Sequence, residues 1–223
     1  MNILHISTSP RGLESDSYRL SQSIIACLQT QQKYAGAEVR ERALWKDALP
    51  HVDSEYAVSL GSPEASEESE ESEAGGNAAC ENAMQQLNAL QRSELLIREL
   101  EAADCVVIAT PMHNYTVPSS LKAWIDHVVR VRRSFAITPD GKLGLLRDRP
   151  VFVAIASGGR FSGETSRQPD FLRPYLKLAL ATIGLQDIRF FSMEGLAGGV
   201  GVAEMEGARA GQELQAYFRE RRL

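Results

Sequence analysis

Two kinds of hydrophobic spacing alternate along this chain. Short, continuous apolar runs, which are typical of strands buried on both faces of a sheet, occur at 3–6, 105–109, 151–156 and 188–193, with a weaker run at 39–44. Between them, apolar residues recur every three or four positions, which is typical of helices. This spacing predicts helices that begin after Ser15 or Ser17, over 80–103, from Pro118 to 129, over 171–183 and over 205–223. Strands that alternate with helices predict an α/β fold with a parallel sheet.

The five predicted strands indicate a single domain over residues 1–223, a length that suits one core. We expect a three-layer, doubly wound sandwich, in which a five-stranded parallel sheet of order 2-1-3-4-5 carries helices on both faces, as in the flavodoxin-like architecture. Ligands of such sheets bind outside the carboxyl ends of the strands, so the loops at 7–17, 110–118 and 157–163 form the candidate site.

Two segments interrupt this alternation. Pro139-Asp140-Gly141 is a turn signal between short apolar runs and predicts a small hairpin over 135–146. The segment at about 59–79 is rich in Ser and Glu, with the core GSPEASEESEESEAGG, and is expected to be a mobile acidic surface insertion. A docking segment for a basic partner is the alternative.

The net charge of −5 comes from one part of the chain. Residues 47–91 contain ten acidic residues and neither Lys nor Arg, and without them 24 basic residues face 19 acidic ones, a net of +5. A mildly basic body suits a phosphate-bearing ligand, whereas the lack of a basic and aromatic stripe argues against nucleic acid. No run approaches the roughly 20 apolar residues of a membrane span, and no secretory signal opens the sequence. The three separated cysteines predict neither a disulfide framework nor a metal site. These features predict a cytoplasmic protein.

The loop after the first strand offers the means to bind an anion. Ser9, Ser15, Asp16 and Ser17 stand where hydroxyls, backbone N–H groups and the positive end of a helix meet, which predicts a phosphate-monoester site; a plain helix cap is the alternative. The loop lacks the G-x-G-x-x-G and Walker A patterns. A phosphatase-type cysteine nucleophile is excluded because Cys27 falls inside the helix, and no hydrolase elbow surrounds Ser9.

The loops after the third and fourth strands carry groups suited to a planar ring. Met112 and Tyr115 offer flat, polarizable contacts, and Asn114 can donate to and accept from a uracil-like ring edge. His113 either lines a pocket or is a plain polar loop residue. The run Ser157-Gly158-Gly159 predicts exposed N–H groups that face a developing negative charge, with a flexible turn as the alternative.

The stretch 111–126, PMHNYTVPSSLKAWID, resembles the FMN-dependent NADH-azoreductases, which are flavodoxin-like quinone reductases. Phe135, Gly141, Gly144-Leu145 and Gly158-Gly159 extend the resemblance over nearly the whole chain outside 59–79. It implies a homodimer with shared active sites and one FMN per subunit. It also implies two-electron reduction of quinones and azo compounds by NADH or NADPH in a ping-pong hydride mechanism.

The resemblance also assigns roles to particular positions. Ser9 and Ser15-Asp16-Ser17 would hold the FMN phosphate. Met112-His113-Asn114-Tyr115 matches the family's Met-Tyr-Asn-Phe, which contacts the isoalloxazine and ribityl parts, and Ala156-Ser157-Gly158-Gly159 matches its Ser-Arg-Gly-Gly. Phe135 would lie near the substrate mouth. No catalytic residue is certain, and His113 and Tyr115 are hypothetical proton donors.

This sequence departs from the family pattern at three places besides the acidic segment. His113 and Tyr115 replace the family's Tyr and Phe, and both remain ring contacts. Ser157 stands where Arg is common, and Val131-Arg132-Arg133 replaces a Gly-containing turn. A non-catalytic electron carrier and an FMN, nitro or chromate reductase on the same fold are the alternative functions. The acidity confined to one segment argues against a carrier. Four arginines could contact the phosphates of a dinucleotide, and a solvated basic face is the alternative. They are Arg130, Arg132, Arg133 and Arg160.

Overall fold

The computed structural model of the chain describes residues 1–61 and 90–220. The strands are β1 (Asn2–Ser7), β2 (Glu38–Ala43), β3 (Cys105–Pro111), β4 (Phe135–Thr138), β5 (Gly141–Gly144), β6 (Val151–Ala156) and β7 (Ile188–Met193). The helices are α1 (Asp16–Thr30), α2 (Ser54–Gly61), α3 (90–102), α4 (Ser119–Val128), α5 (Leu172–Thr182) and α6 (Val200–Glu220). Most of the predicted acidic insertion at 59–79, and the first part of the helix predicted over 80–103, lie outside the described residues.

Five of these strands form one parallel sheet, in the order β2-β1-β3-β6-β7. This order confirms the predicted flavodoxin-like topology, in which the chain reverses its direction of winding between β1 and β3. The remaining two strands pair in the antiparallel sense as the predicted hairpin. The strand β2 lies at an edge of the sheet, and its first four residues are exposed.

Helices cover both faces of this sheet because neighbouring residues of a strand point to opposite sides. Ile3 and Val107 face a core shared with α1 and α6, whereas Leu4 and Val106 face the core that packs against α3, α4 and α5. The central strands β3 and β6 are buried along nearly their whole length. Burial on both faces explains why their sequences are continuous apolar runs rather than alternating patterns.

Two helices differ from the sequence-based expectation. The helix α6 begins at Val200 and not at 205, so Gly201 lies inside its first turn. The predicted start was therefore wrong by five residues; glycines at 198, 199 and 201 weaken the helical pattern before 205. The short helix α2 was not predicted; its first turn is stabilised by the Asp53 carboxylate, which accepts the N–H of Tyr56 at 2.9 Å.

The histidine of β1 makes stability depend on pH. His5 is buried, and its Nε2 lies 2.8 Å from Ser21 Oγ. Since the Ser21 hydroxyl donates to the Tyr18 carbonyl at 2.7 Å, we infer that Nε2 carries the proton and donates to Ser21. Burial lowers the pKa of His5 to about 4, because the charged ring would lose its hydration.

We therefore expect the free energy of unfolding to fall as the pH decreases from 6.5 to about 4, because the unfolded chain binds the proton first. The loss attributable to His5 is about 3 kcal/mol, since one pKa unit corresponds to about 1.4 kcal/mol. His5→Gln should flatten this part of the profile in urea unfolding at several pH values. The exposed His51→Gln is the control, and equal slopes in the two variants would refute the assignment.

Candidate functional site

The loop between β1 and α1 presents unpaired donors at the start of a helix. Ser15 is the N-cap, and its hydroxyl accepts the N–H of Tyr18 at 3.3 Å and donates to the Gly12 carbonyl at 2.9 Å. The N–H groups of Asp16 and Ser17 donate to no acceptor in the part of the chain that the structure describes. These groups carry the positive end of the α1 dipole, so they favour an anion.

Two further side chains shape this loop. The Ser9 hydroxyl accepts the N–H of Arg11 at 3.3 Å, and Ser9 is almost fully buried at the floor of the loop. The carboxylate of Asp16 is paired with Arg19 at 3.1 Å, so its charge is partly compensated. Asp16 therefore contributes its backbone N–H rather than its side chain to an anion.

The loop after β3 turns back sharply. Met112 extends the sheet by donating its N–H to Ala156 at 2.8 Å, and His113 and Thr116 then exchange backbone hydrogen bonds of 2.9 and 3.0 Å. Between them, Asn114 and Tyr115 adopt φ values of +48° and +70°. Two consecutive left-handed residues are typical of a tight two-residue turn, and a tyrosine adopts this conformation only at a cost in energy.

The loop after β6 is held by the segment that follows β7. The carbonyl groups of 157, 158 and 159 accept the N–H groups of Leu196, Ala197 and Gly195, at 3.1, 3.1 and 3.2 Å respectively. Because the C=O and N–H of one trans peptide point in opposite directions, the N–H groups of Gly158 and Gly159 point away from this segment. They donate to no acceptor among the described residues.

This loop corrects two details of the sequence-based interpretation. The N–H of Ser157 is not a free donor, because it continues the sheet to the Met193 carbonyl at 2.9 Å. A Cβ at Gly159 would overlap the amide oxygen of Gln168, so any larger residue there would displace the Gln168 side chain. The Gln168 amide nitrogen lies 3.0 Å from Ser157 Oγ and 3.1 Å from Met112 Sδ, so Gln168 connects the two loops. No local sequence signal pointed to Gln168.

The three loops line an open cleft of about 350 Å³ at the carboxyl ends of the strands. Of the predicted site residues, those that line the cleft are Ser9, Ser15, Asp16, Ser17, Met112, His113, Ser157 and Gly158. Four predicted residues are absent from its lining, namely Asn114, Tyr115, Gly159 and Phe135. Leu196 and Ala197, which follow β7, line the cleft and were missed because only three of the strand ends carried unusual sequence.

Phe135 lies apart from this cleft in the β4–β5 hairpin. Its side chain is buried, and the Lys142 ammonium lies 5.3 Å from its ring centroid. Within one subunit, Phe135 therefore does not contribute to the mouth of the cleft.

Two of the candidate arginines belong to a network on α3. Arg133 contacts Glu94 at 3.0 Å and Glu101 at 2.7 Å, and Arg130 contacts Glu94 at 2.7 Å. Hydrogen bonds from Arg133, together with those from the neighbouring arginines, lower the pKa of Glu94 to about 2 despite its partial burial. This network fastens the turn before β4 to α3, so these cations are engaged within the protein.

The other two candidate arginines also have protein partners. Arg132 adopts φ of +65°, which explains why a glycine suits this turn, and its guanidinium donates to the Leu60 carbonyl. Arg160 pairs with Glu206 at 3.2 Å. The cation in the lining of the cleft is Arg11.

These features define a class of protein before any comparison. The cleft lies at the point where the sheet reverses its winding, with anion donors on one side. On another side is the β6 loop, which lines the cleft with Gly158 and has two free N–H groups, those of Gly158 and Gly159. Met112, Leu196 and Ala197 add apolar surface between them. This donor set suits a ligand that combines a phosphate group with a planar, polar-edged ring, so the molecule is a flavodoxin-type nucleotide-binding α/β protein.

The comparisons with known proteins agree with this class. A family model described as the flavodoxin-like fold matches residues 1–218. The FMN-dependent NADH:quinone oxidoreductase 4 of Pseudomonas fluorescens is 40% identical over 219 residues, which cover 97% of this chain and 96% of that protein. The FMN-dependent NADH:quinone oxidoreductase 5 of Burkholderia lata is 42% identical over 196 residues, covering 88% and 86%. This chain belongs to the flavodoxin-like family, among the relatives named FMN-dependent NADH:quinone oxidoreductases.

Solved structures show the same fold at lower identity. The azoreductase from Bacillus anthracis superimposes with a TM-score of 0.78 at 20% identity, covering 99% of this chain and all of that one. An FMN-dependent NADH-azoreductase from Bacillus anthracis, in complex with FMN, gives 0.75 at 20% identity and 99% coverage of each chain. Over the two described stretches of our structure, no helix is both long and apolar enough to cross a membrane.

Proposed function

We propose that this chain is an FMN-dependent oxidoreductase that reduces quinones, and azo compounds, with NADH as the electron donor. The observation that carries the proposal is the cleft at the sheet's winding reversal, where free N–H groups lie both at the start of α1 and in the β6 loop. The names of the relatives at 40% and 42% identity support the substrate class. A pool of NADH suits a cytoplasmic location.

The residues of the cleft divide the binding of FMN between them. The N–H groups of Asp16 and Ser17, with the Ser9 hydroxyl, would hold the phosphate at the start of α1. Met112 would pack against the ring system, and the N–H groups of Gly158 and Gly159 would face its electron-rich edge. When bound, FMN supplies the ability to accept a hydride and pass two electrons to an acceptor.

The open side of the cleft supports a mechanism in which the two substrates bind one after the other. NADH and the acceptor would use the same exposed side in turn, which gives ping-pong kinetics. Water reaches that side freely, so no buried acid is needed to protonate a product. His113 lines the cleft and Tyr115 is half-exposed beside it, and both are our candidates for assisting proton delivery.

We also propose that the protein is a homodimer whose sites are shared. The hairpin and α5 expose large apolar side chains, with Ile137 at 73% and Leu178 at 72% exposure, and Phe171 precedes α5 at 60%. Exposed apolar side chains of this size favour an interface with another protein surface. In such a dimer, the hairpin that carries Phe135 would approach the cleft of the partner.

The proposal is tested with protein purified without added flavin. We expect a yellow protein whose visible absorption is bleached by NADH and restored by menadione under anaerobic conditions, with a light-scattering mass of twice the 24.5 kDa chain. A yellow protein that NADH does not bleach would support an electron carrier instead. A colourless protein that does not bind added FMN would refute the cofactor assignment.

A further inference from the structure

A buried carboxylate lies directly behind the β6 loop. Glu194 is the residue after β7 and is 3% exposed. Its Oε2 accepts the N–H groups of Phe161 at 2.8 Å and Ser162 at 3.1 Å, and its Oε1 accepts the hydroxyls of Ser162 at 2.6 Å and Ser192 at 2.9 Å. Three of these four hydrogen bonds come from the segment that follows Gly158 and Gly159.

The β6 loop is therefore bound by the segment after β7 through both its carbonyl groups and its N–H groups. Its carbonyl groups at 157–159 are bound by the N–H groups of 195–197, and its N–H groups at 161 and 162 are bound by Glu194. The peptides that carry the N–H groups of Gly158 and Gly159 belong to the first attachment, and Glu194 binds the segment that follows them directly. These two N–H groups are consequently directed away from the protein and left free for a ligand.

The position of Glu194 is itself fixed by a second buried carboxylate. Glu206 on α6 accepts the N–H of Glu194 at 3.3 Å and pairs with Arg160 at 3.2 Å and Arg209 at 3.0 Å. The two carboxylates thus connect α6, the end of β7 and the β6 loop. Burial raises the pKa of Glu194, but the hydrogen bonds from Ser162, Phe161 and Ser192 outweigh it and leave the pKa below its ordinary value.

We propose that Glu194 is a positioning residue for the flavin: it fixes the β6 loop so that the N–H groups of Gly158 and Gly159 stabilise reduced, more negative FMN more strongly than oxidised FMN. This inference rests on the proposed function. The proposed effect comes from the orientation of the loop and not from the charge of Glu194. A negative charge near the cofactor would destabilise reduced FMN, which is the opposite effect.

Three variants separate orientation from charge and from general stability. Glu194→Ala removes all four hydrogen bonds. Glu194→Gln keeps the shape, because its amide oxygen can accept the two N–H groups while the two serine hydroxyls rotate to accept its NH₂. Glu99→Ala is the matched control, since Glu99 is a buried carboxylate that pairs with Arg42 on β2 and is absent from the lining of the cleft.

The measurements are the Kd of apoprotein for FMN, by fluorescence quenching, and the midpoint potential of the bound flavin. We expect Glu194→Ala to weaken binding of reduced FMN about tenfold more than binding of oxidised FMN. For a two-electron couple, this is a shift of the midpoint potential by about 30 mV to more negative values. Glu194→Gln should restore the wild-type potential, and Glu99→Ala should lower the unfolding temperature without changing the potential.

Several results would overturn the inference. An unchanged potential in Glu194→Ala would assign Glu194 a purely structural role, and an equal positive shift in the Ala and Gln variants would assign the effect to charge. If Glu194→Ala does not fold, Ser162→Ala removes one of the four hydrogen bonds and should give a smaller negative shift; no shift there refutes the inference. A wild-type protein that does not bind FMN would refute the proposed function as well, whereas normal wild-type binding with unshifted variants refutes this inference alone.

Discussion

Replacing Ser9 by aspartate is expected to raise the Kd for FMN by about 10³-fold. Ser9 lies in the cleft beside the start of α1, where the proposed phosphate would bind. A carboxylate there would occupy the same donors and repel a phosphate of nearly two negative charges. Like charges in contact cost several kcal/mol, and about 4 kcal/mol corresponds to the expected change. Fluorescence titration of the apoprotein with FMN measures it.

Two controls make this result specific for the phosphate. Riboflavin has the same ring but no phosphate, so its Kd should change by less than about threefold, because the repulsion between the two anions is absent. Ser23→Asp adds the same charge to an exposed position two turns further along α1, and should leave FMN binding nearly unchanged. An equal loss for FMN and riboflavin in Ser9→Asp would show that the phosphate binds elsewhere. The apoprotein should still fold, since an anion at a helix N-terminus is favourable.

Replacing Arg149 by methionine is expected to lower the free energy of unfolding by about 4 kcal/mol. The buried Arg149 guanidinium donates to the carbonyls of Leu100, Glu101 and Ala103 at the end of α3, and to the Arg147 carbonyl. Burial lowers the pKa of Arg149, but the helix carbonyls provide compensating negative charge. Methionine fills similar space but removes all of these hydrogen bonds, and of the three carbonyls at the end of α3 the Leu100 carbonyl still accepts the N–H of Ala103 at 3.2 Å.

Urea unfolding of Arg149→Met checks this value. The thermal midpoint should fall by about 10 °C, given a shift of roughly 2–4 °C for each kcal/mol in a domain of this size. Arg147→Met is the control, because the Arg147 side chain is 71% exposed and only reaches Asp104 at 3.5 Å. Arg147→Met should change the free energy of unfolding by no more than about 0.5 kcal/mol. Equal unfolding midpoints for the two variants would mean that the buried guanidinium does not stabilise the end of α3.

The layout of the fold follows from the sequence because burial on both faces leaves a strong pattern. The continuous apolar runs of β3 and β6 must be buried, and the apolar residues at helical spacing in α1 and α4 predict one buried face on each helix. The order of the strands then followed from the connectivity of such sheets. The errors arose where the sequence pattern was weak. The helix α2, which was not predicted, has only eight residues, and the first turn of α6 contains Gly201, a residue of low helix propensity.

The candidate site was predictable where a residue type carries its own chemistry next to a strand end. The serines of the first loop, Met112 and Gly158 are such cases, and the structure brings them to one cleft. The contributions of Gln168, Glu194 and Leu196 were not predictable, because each depends on a hydrogen bond or contact between segments distant in sequence. The direction of a backbone N–H group likewise depends on what binds the carbonyl beside it.

The exposed edge strand β2 also has a consequence for how this protein behaves at high concentration. Its sequence EVRERA places a charged residue at four of six positions, and one of them, Arg42, is tied to Glu99 on α3. A second molecule that tried to add a strand here would have to strip water from these charges and break that ion pair. This edge of the sheet therefore resists growth from molecule to molecule, and concentrated samples should not form β-rich aggregates through β2.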